Sequence, residues 1–282
     1  MSRVYRALEK VEEERKQKVG EPSLTAFEEK TVPRKEVPAL EFREEKEQLG
    51  VPPKEIAPVL IAPPHSFSAE AFRKLKTQIF LHPENSPRTI LITSAAPQEG
   101  KTLVAVNLAL AISREIHSSA ILVDGDLRRP GIRLEKDKRA KGLSNYLSDG
   151  VPLSEILLNS EVEKLRVIPA GSSTRKSSEL IRSKKMGELI ESLKGFGDNT
   201  YIVIDSPPIM ATADPSLLSK MVDGIILVVR AGYTSRESVQ GAIKSIDRQK
   251  IVGVVFNQID GKPSSYFSEN YRYYQHYRNR PE

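Results

Sequence analysis

The segment from residue 89 to residue 112 constrains the fold more than any other part of the chain. Residues 89–93 form an apolar, β-branched run typical of a buried strand, and residues 103–112 have the pattern of an apolar helix. Between them, residues 95–102 read Ala-Ala-Pro-Gln-Glu-Gly-Lys-Thr. A strand, a loop that ends in Gly-Lys-Thr and a helix, in that order, form a phosphate-binding loop (P-loop). The sequence therefore predicts an α/β domain that binds a nucleotide.

The P-loop offers several kinds of contact to phosphates. Backbone N–H groups and the positive end of the helix attract the anion, Lys101 adds a charge for the β and γ phosphates, and the Thr102 hydroxyl is a ligand for Mg²⁺. Ala95 replaces the first glycine of the usual pattern, which is tolerable if that position does not need a positive φ. We expect ATP and Mg²⁺ as cofactors, and the predicted contacts are Ala96, Pro97, Gln98, Glu99, Gly100, Lys101, Thr102 and Leu103.

Short β-branched runs alternate with amphipathic segments from Ser66 onward, which is typical of a parallel sheet with crossover helices. The predicted strands are 89–93, 120–123, 165–168, 201–204, 224–229 and 251–256. The predicted helices are 103–112, 153–158, 186–193, 215–221 and 237–246. The fold class is therefore α/β, a doubly wound, mainly parallel sheet of the P-loop NTPase type, with ligands at the carboxyl ends of the strands. This domain is predicted to span residues 65–261.

The two ends of the chain differ in composition from this domain. Residues 1–64 hold eight of the nineteen prolines among many charged residues, which predicts a mostly disordered N-terminal segment. Within it, residues 2–18 have amphipathic spacing, and either a frayed, solvated helix or a helix that docks on a partner fits the pattern. Residues 262–282 form a polar, basic and tyrosine-rich C-terminal tail.

Composition excludes several classes of function. The chain has no cysteine, which rules out disulfides and thiolate chemistry and favours a reducing compartment such as the cytoplasm. Lys plus Arg exceed Asp plus Glu by 43 to 37, an excess too small to require nucleic acid as a partner. No run approaches the roughly 18 apolar residues of a membrane-spanning helix. We therefore expect any membrane location to come through a partner.

Three aspartates follow apolar strands at the edge of the sheet where ligands are expected. One strand ends in Asp124-Gly-Asp126-Leu-Arg128, and a later one ends in Asp205-Ser-Pro-Pro. Any one of these aspartates can serve as a helix N-cap. All three beside a P-loop favour phosphoryl transfer, because Mg²⁺ stabilises clustered carboxylates and the attacking hydroxyl needs a base.

Together these motifs resemble the Walker A, A′ and B motifs of the bacterial tyrosine kinases (BY-kinases). These kinases are related to the MinD and ParA P-loop ATPases and control capsule and exopolysaccharide assembly. The resemblance runs from about residue 66 to the C terminus. It implies that Lys101 and Thr102 hold phosphates and Mg²⁺, and that Asp126 and Asp205 organise Mg²⁺ and its waters. It also implies that Asp124 orients or deprotonates the tyrosine hydroxyl, although the roles of Asp124 and Asp126 can be exchanged.

Three further features extend the resemblance. Asn257, at the end of the last strand, stands where related ATPases contact adenine, or it is an ordinary strand-end turn residue. Glu70, Arg73 and Lys76 resemble the ExxRxxR motif through which neighbouring subunits of a ring pair. Lys76 stands in place of the last Arg of the motif and lacks its planar guanidinium, which puts a bidentate contact in doubt. Considered apart from the resemblance, Glu70 and Arg73 are an ordinary i, i+3 ion pair on a helix surface.

The tail carries five of the nine tyrosines of the chain. This group resembles the C-terminal tyrosine cluster of the family, which receives the phosphate. An aromatic, basic tail can also bind single-stranded nucleic acid or dock as an ordered edge. The predicted phosphoacceptors are Tyr266, Tyr271, Tyr273, Tyr274 and Tyr277.

The resemblance implies a stand-alone, cytoplasmic protein-tyrosine autokinase of the capsular and exopolysaccharide type. Its expected partners are other copies of the chain, a tyrosine phosphatase, and a separate activator like the polysaccharide co-polymerases of the inner membrane, which would recruit it to that membrane. One alternative is a MinD or ParA-like positioning ATPase, but Ala96 stands where that class typically has a lysine. The other alternative is an ATP-binding regulatory scaffold of a polysaccharide export complex.

Overall fold

The structure is a computed structural model that describes residues 61–63, 66–81, 86–132 and 141–259. The predicted helix 2–18, nearly all of the predicted disordered segment 1–64, and the tail 262–282 with its five tyrosines lie outside these residues. Within this part of the chain, no helix is long and apolar enough to cross a membrane.

A seven-stranded sheet forms the centre of the fold. Its spatial order is β3-β4-β2-β5-β1-β6-β7, and every neighbouring pair is parallel except β3 with β4. The mainly parallel, doubly wound sheet predicted from the sequence is thus confirmed. The strands are β1 (Thr89–Ser94), β2 (Ser119–Asp124), β3 (Leu158–Asn159), β4 (Leu165–Ile168), β5 (Thr200–Asp205), β6 (Gly224–Arg230) and β7 (Ile251–Asn257).

Helices cover both faces of the sheet. All five predicted helical segments are present with shifted ends, whereas α1, α3, α5 and the strand β3 are not among the predicted elements. The helices are α1 (Phe67–Ile79), α2 (Lys101–Ser113), α3 (Leu143–Asp149), α4 (Leu153–Ile156), α5 (Ser177–Arg182), α6 (Lys184–Lys194), α7 (Asp214–Ser219) and α8 (Arg236–Lys244), with a 3₁₀ turn at Arg248–Lys250.

Alternation along the strands divides the core into two layers. On β1, Ile90 and Ile92 point into the layer that contains α2, and Leu91 points into the layer that contains α6. Ten consecutive residues of α2, 104–113, are buried, because α1 packs on the side of this helix that faces away from the sheet. The P-loop helix is therefore held rigidly within the core.

The carboxyl ends of β1, β2 and β5 lie side by side, because β5 pairs with both of the others in parallel register. Ile92 of β1 pairs with Asp205, and Asp124 pairs with the same Asp205 from the other side. This register brings the P-loop and the strand-end aspartates to one edge of the sheet.

Candidate active site

The P-loop has the backbone conformation of an anion site. Gln98 and Gly100 have φ of +63° and +88°, and Gly100 is the N-cap of α2. Six consecutive residues, 98–103, have backbone N–H groups that donate to no acceptor within the described part of the chain. A run of free N–H groups at a helix N-terminus is what phosphate groups require.

The beginning of the loop differs in part from the sequence-based prediction. Ala95 is not among the residues with positive φ, so the condition on which alanine can replace glycine there is met. The N–H of Ala96, which was predicted to contact phosphate, instead donates to Glu99 Oε2 at 2.8 Å. Pro97 has no N–H to offer. The free backbone N–H groups of the loop therefore begin at Gln98.

Asp124 is completely buried at the end of β2, and both of its oxygens accept backbone hydrogen bonds. Oδ1 accepts one, from Asp126 N at 3.1 Å, whereas Oδ2 accepts two, from Gly131 N at 3.0 Å and Ile132 N at 2.9 Å. This carboxylate folds the segment 125–132 back against the P-loop: a Cβ added to Gly131 would lie 2.8 Å from Thr102 Oγ1. Asp124 thus shapes the loop as well as standing in the site.

Asp126 belongs to that segment and faces the P-loop lysine. Its Oδ1 accepts the N–H of Arg129 at 2.9 Å, and its Oδ2 lies 3.9 Å from Lys101 Nζ. Both side chains are largely buried, at 6% and 14% exposure, so the pair is poorly screened by water. The structure therefore brings Asp126 and Lys101 together at the nucleotide loop.

Asp205 faces the P-loop from the end of β5. Its Oδ2 accepts the Thr102 hydroxyl at 2.6 Å, and its buried Oδ1 has no hydrogen-bond partner among the described residues. A buried carboxylate oxygen without a donor, next to a hydroxyl, fits a hard cation such as Mg²⁺. In the described chain no three acidic or histidine side chains converge as a complete metal site. Further ligands would have to be nucleotide oxygens or water, as is usual for Mg²⁺.

Burial perturbs both strand-end carboxyls. Burial, followed by the negative charge of Asp205, raises the pKa of Asp124 to about 8, against the backbone hydrogen bonds that lower it. Burial also raises the pKa of Asp205 to about 6, and the Lys101 charge and Thr102 hydrogen bond oppose that rise. Two carboxyls whose charged forms are disfavoured at one site are a common feature of catalytic centres. A bound cation would stabilise both charges.

Sequence reasoning missed two features of the site. Asn257 Nδ2 donates to the backbone oxygen of Glu99 at 2.9 Å, so this residue supports the P-loop directly. Thr234, in the loop after β6, donates its hydroxyl to Glu99 Oε1, and Glu99 is completely buried. Thr234 is 135 residues away from Glu99 in the chain, and only the tertiary fold reveals the pairing.

The residues of the predicted oligomerisation motif lie on α1, the helix that precedes β1 and the nucleotide loop. Arg73 Nε pairs with Glu70 Oε2 at 2.7 Å, and Arg73 keeps 43% exposure. Lys76 is only 13% exposed and pairs with Glu115 of its own chain. The first two charges are thus available at the surface, whereas the third is engaged within the subunit.

Comparisons with known proteins agree with this geometry. A family model described as an AAA domain matches residues 88–253, more than half of the chain. Tyrosine-protein kinase CpsD of Streptococcus agalactiae serotype III (strain NEM316) is 30% identical over 202 residues, which are 70% of this chain and 85% of that protein. Tyrosine-protein kinase YwqD of Bacillus subtilis (strain 168) is 30% identical over 220 residues, 77% of this chain and 90% of that protein.

A solved structure shows the same similarity in three dimensions. The kinase domain of Escherichia coli tyrosine kinase ETK superposes with a TM-score of 0.66 at 25% identity and covers 78% of this chain and 87% of that one. The family predicted from three short motifs is thus confirmed. The kinase relatives and the solved kinase domain also support nucleotide binding and protein-tyrosine kinase activity. The chain belongs to the bacterial protein-tyrosine kinase family.

Proposed function

We propose that this kinase transfers the γ-phosphate of Mg-ATP to the tyrosines of its own C-terminal tail, in a neighbouring subunit, and thereby regulates capsule or exopolysaccharide synthesis and export. One observation carries the chemistry: Asp124 and Asp205 are paired in register at one sheet edge, and Thr102 donates its hydroxyl to Asp205. The five tail tyrosines supply the acceptors.

The P-loop would orient and neutralise the triphosphate. The free N–H groups of residues 98–103 are positioned to bind phosphate oxygens, and Lys101 adds a full charge beside them. Thr102, Asp126 and Asp205 would hold Mg²⁺ directly or through water. That ion would supply positive charge to the β and γ phosphates during transfer.

Asp124 is the residue we propose as proton acceptor for the tyrosine hydroxyl. It stands beside Asp205 at the sheet edge next to the P-loop, and a bound cation would keep its carboxylate ionised so that it can accept a proton. Oδ1 accepts only one hydrogen bond and keeps a lone pair for the incoming hydroxyl, whereas Oδ2 already accepts two. Because the side chain is buried, segment 125–132 must shift when the tyrosine enters.

The adenine contact of Asn257 remains part of this proposal. Its Nδ2 is engaged with Glu99, but its Oδ1 accepts no hydrogen bond from the described residues and could accept one from an adenine amino group. Its place beside Gly100 would bring the base next to the P-loop.

Chain length permits transfer either within a subunit or between subunits. From Gly261 to Tyr277 the tail can extend at most about 55 Å, whereas a compact domain of some 200 residues has a radius of gyration of about 16 Å. The tail is therefore long enough to enter its own site or that of a neighbour. The partly buried pair Glu70 and Arg73 would form the ring contacts, with Lys76 contributing only if it leaves Glu115.

The charge of the tail suggests how phosphorylation releases the tail from the site and loosens the oligomer. Residues 262–282 carry four Lys or Arg and two Glu, a balance of +2, and each phosphate adds about -1.5 to -2. Two phosphates therefore reverse the sign of the tail, which weakens its docking in an acidic site and loosens the oligomer. Light scattering before and after ATP addition tests this step: unchanged particle mass with several tyrosines phosphorylated rules it out.

Partners complete the proposal. A separate inner-membrane activator of the co-polymerase type would hold this cytoplasmic kinase at the membrane, and a tyrosine phosphatase would reset it. Co-purification of the kinase with the cytosolic segment of such an activator, and faster labelling in its presence, are the expected results.

A mixing experiment tests transfer in trans. An active subunit that lacks residues 262–282 is incubated with a full-length Lys101→Met subunit and labelled ATP. We expect label on the tail of the inactive subunit. If only an active subunit with its own tail becomes labelled, transfer occurs within one chain and the trans proposal is wrong.

A further inference from the structure

The carboxylate of Glu99 is buried inside the nucleotide loop without a cation. The residue has no exposed surface, and among the described residues no Lys or Arg pairs with it. Its two oxygens accept hydrogen bonds from the Ala96 N–H and the Thr234 hydroxyl. Because burying a charge without a counterion is costly, these two donors must stabilise it.

Thr234 anchors that carboxylate to the segment 231–235, which joins β6 to α8. The hydroxyl oxygen of Thr234 also accepts the N–H of Arg230 at 3.1 Å, so it is fixed to the last residue of β6. From the neighbouring β7, Asn257 holds the backbone oxygen of Glu99 at 2.9 Å. The P-loop is thus tied to the ends of two strands, β6 and β7, that carry none of the catalytic aspartates.

The loop needs such ties because its conformation is strained. Gln98 is a non-glycine residue at φ +63°, and the N–H groups of residues 98–103 are unpaired among the described residues. A left-handed residue with a side chain persists only when the surrounding structure fixes it. Without external contacts the loop can relax to conformations that turn these N–H groups away from a nucleotide.

We propose that Glu99 and Thr234 are positioning residues that hold the P-loop in its phosphate-binding conformation, so that the segment between β6 and α8 sets the affinity for ATP. The inference depends on nucleotide binding at the P-loop and not on tyrosine transfer. Loss of the Thr234 hydroxyl lowers the fraction of molecules in the competent conformation, and the apparent Kd rises in proportion.

Calorimetric titration with ATP, and separately with ADP, tests the proposal. Thr234→Val removes the hydroxyl at nearly constant shape, and we expect a Kd about tenfold higher, which corresponds to about 1.4 kcal/mol. Thr234→Ser restores the hydroxyl and should bind within about twofold of the unaltered protein. Thr234→Ala provides the same test if the valine variant does not fold.

Thr200→Val is the matched control. Thr200 is a buried threonine at the amino end of the central strand β5, at the other end of the strand from Asp205, and its hydroxyl contacts Ser119 Oγ at 3.0 Å. Its replacement should lower the thermal midpoint and leave the Kd for ATP unchanged. A general loss of stability is thereby separated from a loss of positioning.

Variants of Glu99 complete a double-mutant cycle. Glu99→Gln can still accept from Ala96 and donate to the Thr234 oxygen, so it should weaken ATP binding less than Glu99→Leu does. Glu99→Leu removes both contacts, and adding Thr234→Val to it should weaken binding no further. The proposal is overturned if Thr234→Val binds ATP normally, if Thr200→Val raises the Kd equally, or if the Glu99→Leu and Thr234→Val effects are additive.

Discussion

Replacing Gly100 with alanine is expected to impair ATP binding far more than folding. Gly100 has φ +88°, and a Cβ there would lie 2.0 Å from Asn257 Nδ2 and 3.3 Å from its Cγ. An ordinary contact begins near 3.4 Å, so the Asn257 amide must move by more than 1 Å. That movement breaks its 2.9 Å hydrogen bond to the Glu99 backbone oxygen.

Two costs add up in the competent conformation. A left-handed alanine costs about 1–2 kcal/mol, and the lost hydrogen bond costs about 0.5–1.5 kcal/mol. The loop can avoid both costs if it relaxes to another local conformation. The substitution therefore lowers the fraction of folded molecules whose P-loop can bind ATP, and it changes the free energy of unfolding little. A total of about 1.5–3.5 kcal/mol corresponds to a Kd for ATP that is roughly 10- to 400-fold higher.

Gly150→Ala controls for backbone strain. Gly150 has φ +72° at the C-cap of α3, and the nearest atom to an added Cβ is Lys185 Nζ, 4.0 Å away. This variant should lose about 1–2 kcal/mol of unfolding free energy and keep its affinity for ATP. Titration calorimetry and chemical denaturation measure both quantities. Normal ATP affinity in a folded Gly100→Ala protein would refute the reasoning, as would an equal loss of affinity in Gly150→Ala.

Three further predictions concern the carboxylates. Asp124→Asn should reduce tyrosine transfer at least 100-fold, the scale of general-base catalysis, with a much smaller change in the Kd for Mg-ATP; unchanged turnover per folded molecule would assign Asp124 a purely structural role. Asp126→Asn, if Asp126 organises Mg²⁺, should instead raise the Mg²⁺ concentration needed for half-maximal rate, and an unchanged Mg²⁺ dependence would contradict that role. Because burial raises the pKa values of Asp124 and Asp205 to about 8 and about 6, the nucleotide-free protein binds more protons when folded. Its unfolding free energy should therefore fall as pH rises from about 4 to about 8, and Asp124→Asn should flatten that slope in denaturation curves.

Local patterns in the sequence were sufficient to predict most of the fold. β-branched runs identified six of the seven strands, because parallel strands buried on both faces must be continuously apolar. The two-residue strand β3 gives no such signal, and the short helices α3 and α5 have little room for a helical period. The order of the strands depends on pairings between distant residues, which no local pattern encodes.

Local motifs also indicated most of the candidate site residues, but not the contacts that join distant segments around them. Lys101, Thr102, Asp124 and Asp205 belong to short motifs whose spacing places them at the ends of strands. The bonds from Asp124 to the backbone of segment 125–132 could not be predicted, because any carboxylate near a turn can make or omit them. The Glu99 contact with Thr234 joins two segments that are 135 residues apart. No local pattern indicates it, because a glutamate in a P-loop has the sequence signature of any polar loop residue.

The most direct test of the account is to follow the γ-phosphate itself. Purified protein and its Lys101→Met variant are incubated with Mg²⁺ and γ-labelled ATP, and the label is assigned by mass spectrometry to tail tyrosines or to free phosphate. We expect label on Tyr266, Tyr271, Tyr273, Tyr274 or Tyr277 in the unaltered protein, and a loss of about 100-fold or more in the variant, which lacks the charge that faces the phosphates. Release of label only as free phosphate, or full tyrosine labelling in a folded Lys101→Met protein, would contradict the proposed site and mechanism.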